Sequence, residues 1–151
     1  MRKQLRVIIA GSREFNDYDA LKYICDYILP KRNDIDITII SGTARGADIL
    51  GERYAREKGY SLIQMPAKWD MYGKAAGYYR NYQMAMESLH SDKAALIAFW
   101  NGTSKGTRAM IDIARNRNID VYIVDFKKHK IDHIKPEEKE PEVDTYSRDE
   151  R

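Results

Sequence analysis

Three times along this chain an apolar run ends in a short glycine-bearing segment that opens an amphipathic stretch. The segments are Gly11-Ser12-Arg13, Ser41-Gly42-Thr43-Ala44-Arg45-Gly46-Ala47-Asp48 and Gly102-Thr103-Ser104-Lys105-Gly106-Thr107. The order strand, tight loop, helix, repeated in this way, restricts the chain to an α/β fold, because such units link by right-handed crossovers into a parallel sheet covered on both faces.

The elements follow from local pattern. Leu5 to Ala10 is continuously apolar apart from Arg6, as expected of a strand buried on both sides. Asp17 to Leu29 carries Leu21, Ile24, Cys25 and Ile28 at helical spacing and ends at Pro30. Residues 35–40 form a second strand, and 47–58 a second helix closed by Gly59. A third strand is expected at 61–65, an irregular stretch at 66–73 and a long helix at 75–89. Strands at 94–99 and 121–124 flank a helix at 105–117. The fold class is therefore a three-layer Rossmann-like α/β sandwich with a parallel sheet of about five strands in one domain, residues 1–126. From residue 127 the composition turns strongly charged, so 127–151 is expected to be a flexible tail, although Ile131 and Ile134 allow a short edge segment.

The glycine loops should gather at the carboxyl edge of such a sheet, where ligands bind. Backbone without side chains approaches oxygen-rich groups closely, and the free N–H groups of a helix start favour negative charge. In the first loop, Gly11 and Ser12 make the turn and Arg13 offers a guanidinium that grips phosphate by two parallel hydrogen bonds, its alternative being a surface ion pair. The second loop supplies the Ser41 and Thr43 hydroxyls, Gly42 and Gly46 for the bend, and Arg45 as a fixed charge. Asp48 sits awkwardly beside an anion and has three readings: a cap on backbone N–H groups, a partner for ribose hydroxyls, or an acid or base. In the third loop Thr103, Ser104, Lys105, Gly106 and Thr107 repeat this chemistry, with Ser104 alternatively an N-cap.

The stretch 69–81 mixes aromatic, basic and polar residues. Trp69 and Tyr72 are suited to stacking on a base, Lys74 and Arg80 to phosphate, and Asn81 to a base edge or ribose, whereas Tyr78, Tyr79 and Tyr82 read as packing or dimer-contact residues.

Several classes are excluded. Neither the spacing GxGxxG nor a Walker A lysine is present, which argues against ordinary dinucleotide dehydrogenases and P-loop NTPases. A net charge of +3 lacks the dense basic stripe of a duplex binder. One cysteine, Cys25, leaves no internal disulfide, and His90, His129 and His133 show no metal-ligand spacing, so neither a metal nor a separate cofactor is expected. Lacking a bilayer-spanning run or a signal-peptide pattern, the chain is expected to be cytoplasmic.

Taken in order, these segments, together with Pro66-Ala67-Lys68-Trp69, Gly73-Lys74-Ala75-Ala76-Gly77, Arg80-Asn81 and Met84, resemble the YspA-like branch of the SLOG superfamily over about residues 5–125. Its relatives include the DprA DNA-processing proteins and the LOG phosphoribohydrolases. The resemblance implies a Rossmann-like fold that binds nucleotides or nucleotide-derived ligands such as ADP-ribose derivatives. Arg80 resembles the LOG active-site arginine. The LOG glutamate that follows the glycine-threonine motif has no counterpart, since Thr107 is followed by Arg108, Ala109 and Met110.

The expected function is binding of a nucleotide-derived small molecule for sensing or sequestering a signal. The alternatives are a LOG-like hydrolase of an N-glycosidic bond, with Asp48, Glu52 or Asp112 as acid, and DprA-like single-stranded DNA binding through 68–82. A homodimer is implied by kinship and by the aromatics of the long helix.

Overall fold

The computed structural model describes residues 2–137. Its sheet has six strands in the order β3-β2-β1-β4-β5-β6. The strands are β1 (Lys3–Gly11), β2 (Ile35–Ser41), β3 (Ser61–Gln64), β4 (Lys93–Trp100), β5 (Asp120–Asp125) and β6 (Lys130–Ile134). Helices α1 (Tyr18–Ile28), α2 (Ala47–Lys58), α3 (Trp69–Tyr72), α4 (Ala76–Ser88) and α5 (Lys105–Asn116) connect the first five strands, which all run parallel.

Alternation within the strands builds two cores. Leu5, Val7 and Ile9 of β1, with Ile39, Ile97 and Phe99, meet Leu21 and Cys25 of α1 and Tyr54 and Ala55 of α2. Ile8 and Ala10, with Ile40, Leu96 and Ala98, meet Met84 and Ala85 of α4 and Met110, Ile113 and Ala114 of α5. Strands covered on both faces need apolar residues at successive positions, which is why β1 and β4 read as continuous runs. The sandwich expected from the sequence is the observed architecture.

Local chemistry sets the element ends. The Asp17 carboxylate accepts the Ala20 N–H at 3.0 Å and starts α1. Gly59, at φ +74°, closes α2 by returning its N–H to Ala55 and Arg56. Where α2 crosses β1, Gly51 lets the backbones close up: a Cβ there would lie 2.7 Å from Cγ2 of fully buried Ile9. Gly51→Ala is therefore expected to cost about 1–3 kcal/mol by overpacking, seen as a lower urea midpoint with an unchanged slope.

Two expectations change. Part of the stretch taken as irregular is helical, α3 leading through a 3-10 turn at Gly73–Ala75 into α4. The segment taken as the start of a flexible tail contains β6, which pairs antiparallel with β5 and sets Ile131 opposite Val124 and Ile134 opposite Val121. The hairpin is held by Asp125, whose Oδ1 accepts the N–H groups of Lys127 and Lys128. The remainder of the expected tail, residues 138–151, lies outside the described residues. Among the described residues no helix is long and apolar enough to cross a membrane.

Candidate functional site

Winding of the sheet reverses between β1 and β4, and at the carboxyl ends of these strands lies a cleft of about 720 Å³. Ala10, Met84, Ala109 and Met110 give it an apolar lining, and Arg13, Arg45, Lys74, Arg80 and Lys105 make it cationic. Of the expected site residues it gathers Gly11, Ser12, Arg13, Arg45, Asp48, Trp69, Lys74, Arg80, Asn81, Ser104, Gly106 and Thr107.

Ser12 ties the loops together. Its N–H donates to the Phe99 carbonyl at 2.8 Å, its own carbonyl accepts from Ala47 at 3.3 Å, and its Oγ accepts from Asn101 at 3.1 Å. The turn at Gly11 brings β1 so close to β4 that a Cβ would sit 2.1 Å from the Phe99 carbonyl oxygen. Arg13, just beyond, is exposed at the mouth.

The second loop serves mostly its own closure. Ser41, expected at the ligand, is fully buried; its hydroxyl donates to Glu52 at 2.7 Å and accepts the Thr43 N–H at 3.0 Å, holding Thr43 at φ +65°. The Gly42 carbonyl accepts from the Arg80 guanidinium, and a Cβ on Gly42 would lie 2.6 Å from Arg80 Nη1. Gly46, at φ +84°, packs on the Ser12 and Arg13 carbonyls. Ser41, Gly42, Thr43 and Gly46 therefore shape the wall without lining the cleft, the Ser41 hydroxyl being taken by Glu52 and the Gly42 carbonyl by Arg80. Glu52 on α2, a tie that a helical pattern does not disclose, also accepts from Gln64 at 2.8 Å and Arg56 at 3.3 Å.

In the third loop the capping role falls to Asn101. Its Oδ1 accepts the N–H groups of Thr103 and Ser104 at 2.9 and 2.8 Å, and its Nδ2 donates to Glu14 at 2.7 Å. Ser104 occupies the N-cap position but makes no side-chain cap bond, and Thr103 lies exposed outside the cleft. The first N–H groups of α5 thus stand at the cleft without an intrahelical acceptor, beside the Ser104 and Thr107 hydroxyls, which are 3.3 Å apart in a shared hydrogen bond.

From α4, Arg80 Nε donates to Asn81 Oδ1 at 3.1 Å and Asn81 Nδ2 to the Gly106 carbonyl at 3.3 Å, so the Asn81 amide bridges α4 to α5. Trp69 lies over Gly77 at the rim. Tyr72, expected beside it, instead packs against Tyr79 with ring centres 4.7 Å apart and does not line the cleft. Tyr78, read as packing, is 58% exposed and does line it. Lys105 of the third loop lines the cleft as well, as do Glu14 and Asn101, for which the only sequence signal is that each flanks a glycine loop.

Asp48 is buried where Ala44 donates its N–H to Oδ2 at 3.2 Å. Burial pushes its carboxyl up to about 6, with Glu52 adding to the rise and Arg80 and the N–H groups of Ala44 and Gly11 opposing it. Burial likewise lowers the Arg80 guanidinium from its usual value, and Arg13 adds to that while Asp48 opposes it.

A family model described as the YspA, cpYpsA-related SLOG family matches residues 5–72, which hold the first two glycine loops and Trp69. The chain is also 33% identical over 125 residues to the Gene 61 protein of Mycobacterium phage D29, an alignment that takes in 77% of this chain and 93% of the phage protein. With glycine loops meeting at the winding reversal of a Rossmann-like sheet, and a relative aligned over nearly its whole length, the chain belongs to the YspA, cpYpsA-related SLOG family.

Proposed function

We propose that the cleft binds a nucleotide-derived small molecule through a phosphate or diphosphate, and that the protein senses or sequesters this ligand. SLOG membership suggests nucleotide-related binding, and one observation carries the finer reading: Arg13, Arg45, Arg80 and the start of α5 converge on a single cleft with an apolar wall. Five cationic side chains against the carboxylates of Glu14 and Asp48 leave the lining net positive, as an anionic ligand requires. The α5 end takes the phosphate, since its N–H groups and the Ser104 and Thr107 hydroxyls are presented there together with Lys105. Trp69 and Tyr78 at the rim offer faces to a base.

Calorimetry against ADP-ribose, cyclic nucleotides and nucleoside monophosphates tests this. Binding at micromolar or better affinity is expected for at least one of them, and silence across the panel from a folded sample overturns the reading. Arg13→Ala should weaken that binding by about ten- to a hundredfold, the loss of a charge-assisted bidentate contact, while the melting temperature stays put because Arg13 is exposed.

A second reading, hydrolysis of the ligand, is favoured by Asp48, a buried carboxyl in the cleft raised to about 6 and thus able to exchange a proton near neutrality. Chromatography of incubated ligand separates the two readings: released base or ribose phosphate, lost in Asp48→Asn at ligand concentrations that still saturate the variant, marks turnover.

A further inference from the structure

Asp48 is a negative group in the wall of a cationic cleft, and its surroundings say which part of a ligand it can face. Around it, the Ala47 N–H at the start of α2 donates to the Ser12 carbonyl, and the Ala44 N–H of the preceding loop donates to Asp48 itself. The α2 end of the cleft thus carries a carboxylate where the α5 end carries hydroxyls and Lys105. A carboxylate offers about four acceptor positions, and backbone N–H groups of Ala44 and Gly11 occupy only part of that capacity. Arg80 lies near enough to act on Asp48 by charge, yet its hydrogen bonds go to the Gly42 carbonyl and to Asn81. The charged groups facing Asp48 are Arg80 from α4 and Glu52 one turn along α2, with Arg13 beyond Arg80. A phosphate set there would meet a carboxylate; a hydroxyl would find an acceptor.

The geometry points to a polarised cleft: an anion end at the start of α5, and a sugar-hydroxyl end at α2 where the Asp48 carboxylate accepts hydrogen bonds from the ligand. Asp48 is thereby a specificity-determining residue that selects ligands carrying a hydroxylated sugar beside the phosphate. This rests on the nucleotide reading above and adds the orientation in which the ligand lies.

The test compares ADP-ribose with inorganic diphosphate on wild type and Asp48→Asn, both checked for folding by circular dichroism and thermal melting. The substitution should weaken ADP-ribose by about ten- to a hundredfold, since a hydrogen bond to a charged acceptor is lost. The same substitution should leave inorganic diphosphate unchanged or bind it more tightly, because a repelling charge is gone. A loss confined to the sugar-bearing ligand is not produced by simple loss of structure. Wild-type affinity for ADP-ribose should also rise as pH rises toward and past about 6 and then level, with a flat profile in Asp48→Asn.

Tighter binding of both probes by Asp48→Asn would place the carboxylate against phosphate and overturn the proposal, as would identical pH profiles in the two proteins. Should folded wild type bind ADP-ribose at no pH, the proposal falls; only silence of the remaining nucleotides as well removes the underlying reading.

Discussion

Alanine at Gly46 and alanine at Gly106 should have opposite consequences: the first loses the fold of the second loop, the second keeps the fold and loses the ligand. Gly46 stands at φ +84°, and a Cβ would lie 2.4 Å from the Ser12 carbonyl oxygen and 2.6 Å from that of Arg13. Both atoms are backbone, and the Ser12 carbonyl also takes the Ala47 N–H at the start of α2, so it cannot retreat without breaking that tie. At φ +84° and ψ −132° the backbone is in a region essentially reserved for glycine, where alanine already costs about 1–3 kcal/mol, and the collision brings the expected loss to about 3–5 kcal/mol, a large part of the stability of a domain this size. Urea unfolding would register it directly.

Gly106 differs in every respect. Nothing lies within 4 Å of a Cβ built there, and alanine is favoured over glycine inside a helix by up to about 1 kcal/mol. Gly106→Ala should therefore be as stable as wild type or slightly more so. Helical Cβ atoms tilt toward the N-terminus, and Gly106 lines the cleft at the start of α5. The added methyl stands where a phosphate must approach, and affinity should drop by about tenfold or more, which is about 1.4 kcal/mol. Normal stability with undiminished nucleotide binding in Gly106→Ala would remove the α5 phosphate position.

The second large effect is a reversed pH dependence of stability. Asp48 has a folded value of about 6 against about 3.9 for an unfolded aspartate. The folded state binds the proton more tightly, so Asp48 contributes stability that is fully present below about pH 4 and is lost as pH rises through about 6. Two units of displacement correspond to about 3 kcal/mol, a ceiling for this group's share. Asp48→Asn should abolish that slope, so the difference between wild-type and variant stability, measured by urea titration from about pH 4 to pH 7, should fall with rising pH. A flat difference would mean the carboxylate is solvated in the free protein. This buried charge costs the ligand-free fold stability at neutral pH, the pattern of a residue kept for what it binds.

The α/β alternation was legible because its determinants are local. Asp17 before a helical apolar stripe, Gly59 after one, and the unbroken runs of β1 and β4 each act within a few residues. The β6 edge was harder to read, since Lys130, Asp132 and His133 break the apolar pattern and pairing with β5 supplies what propensity does not. Tyr78 shows the same difficulty on a helix: tyrosines at helical spacing look like a packed face until the neighbouring surface is known.

Sequence alone determined that several small-residue turns open helices at one edge of a parallel sheet, because glycine, helix caps and strand runs act through short-range sterics and backbone hydrogen bonding. Which turn faces a ligand was decided only in three dimensions. Ser41 is claimed by Glu52, the Gly42 carbonyl by Arg80, Gly46 by the Ser12 backbone, and Asn101 caps the loop before α5. Those partners lie on other elements, and packing of the helices on the sheet sets which polar groups meet. The second loop is thereby closed on itself, while the start of α5 is left open.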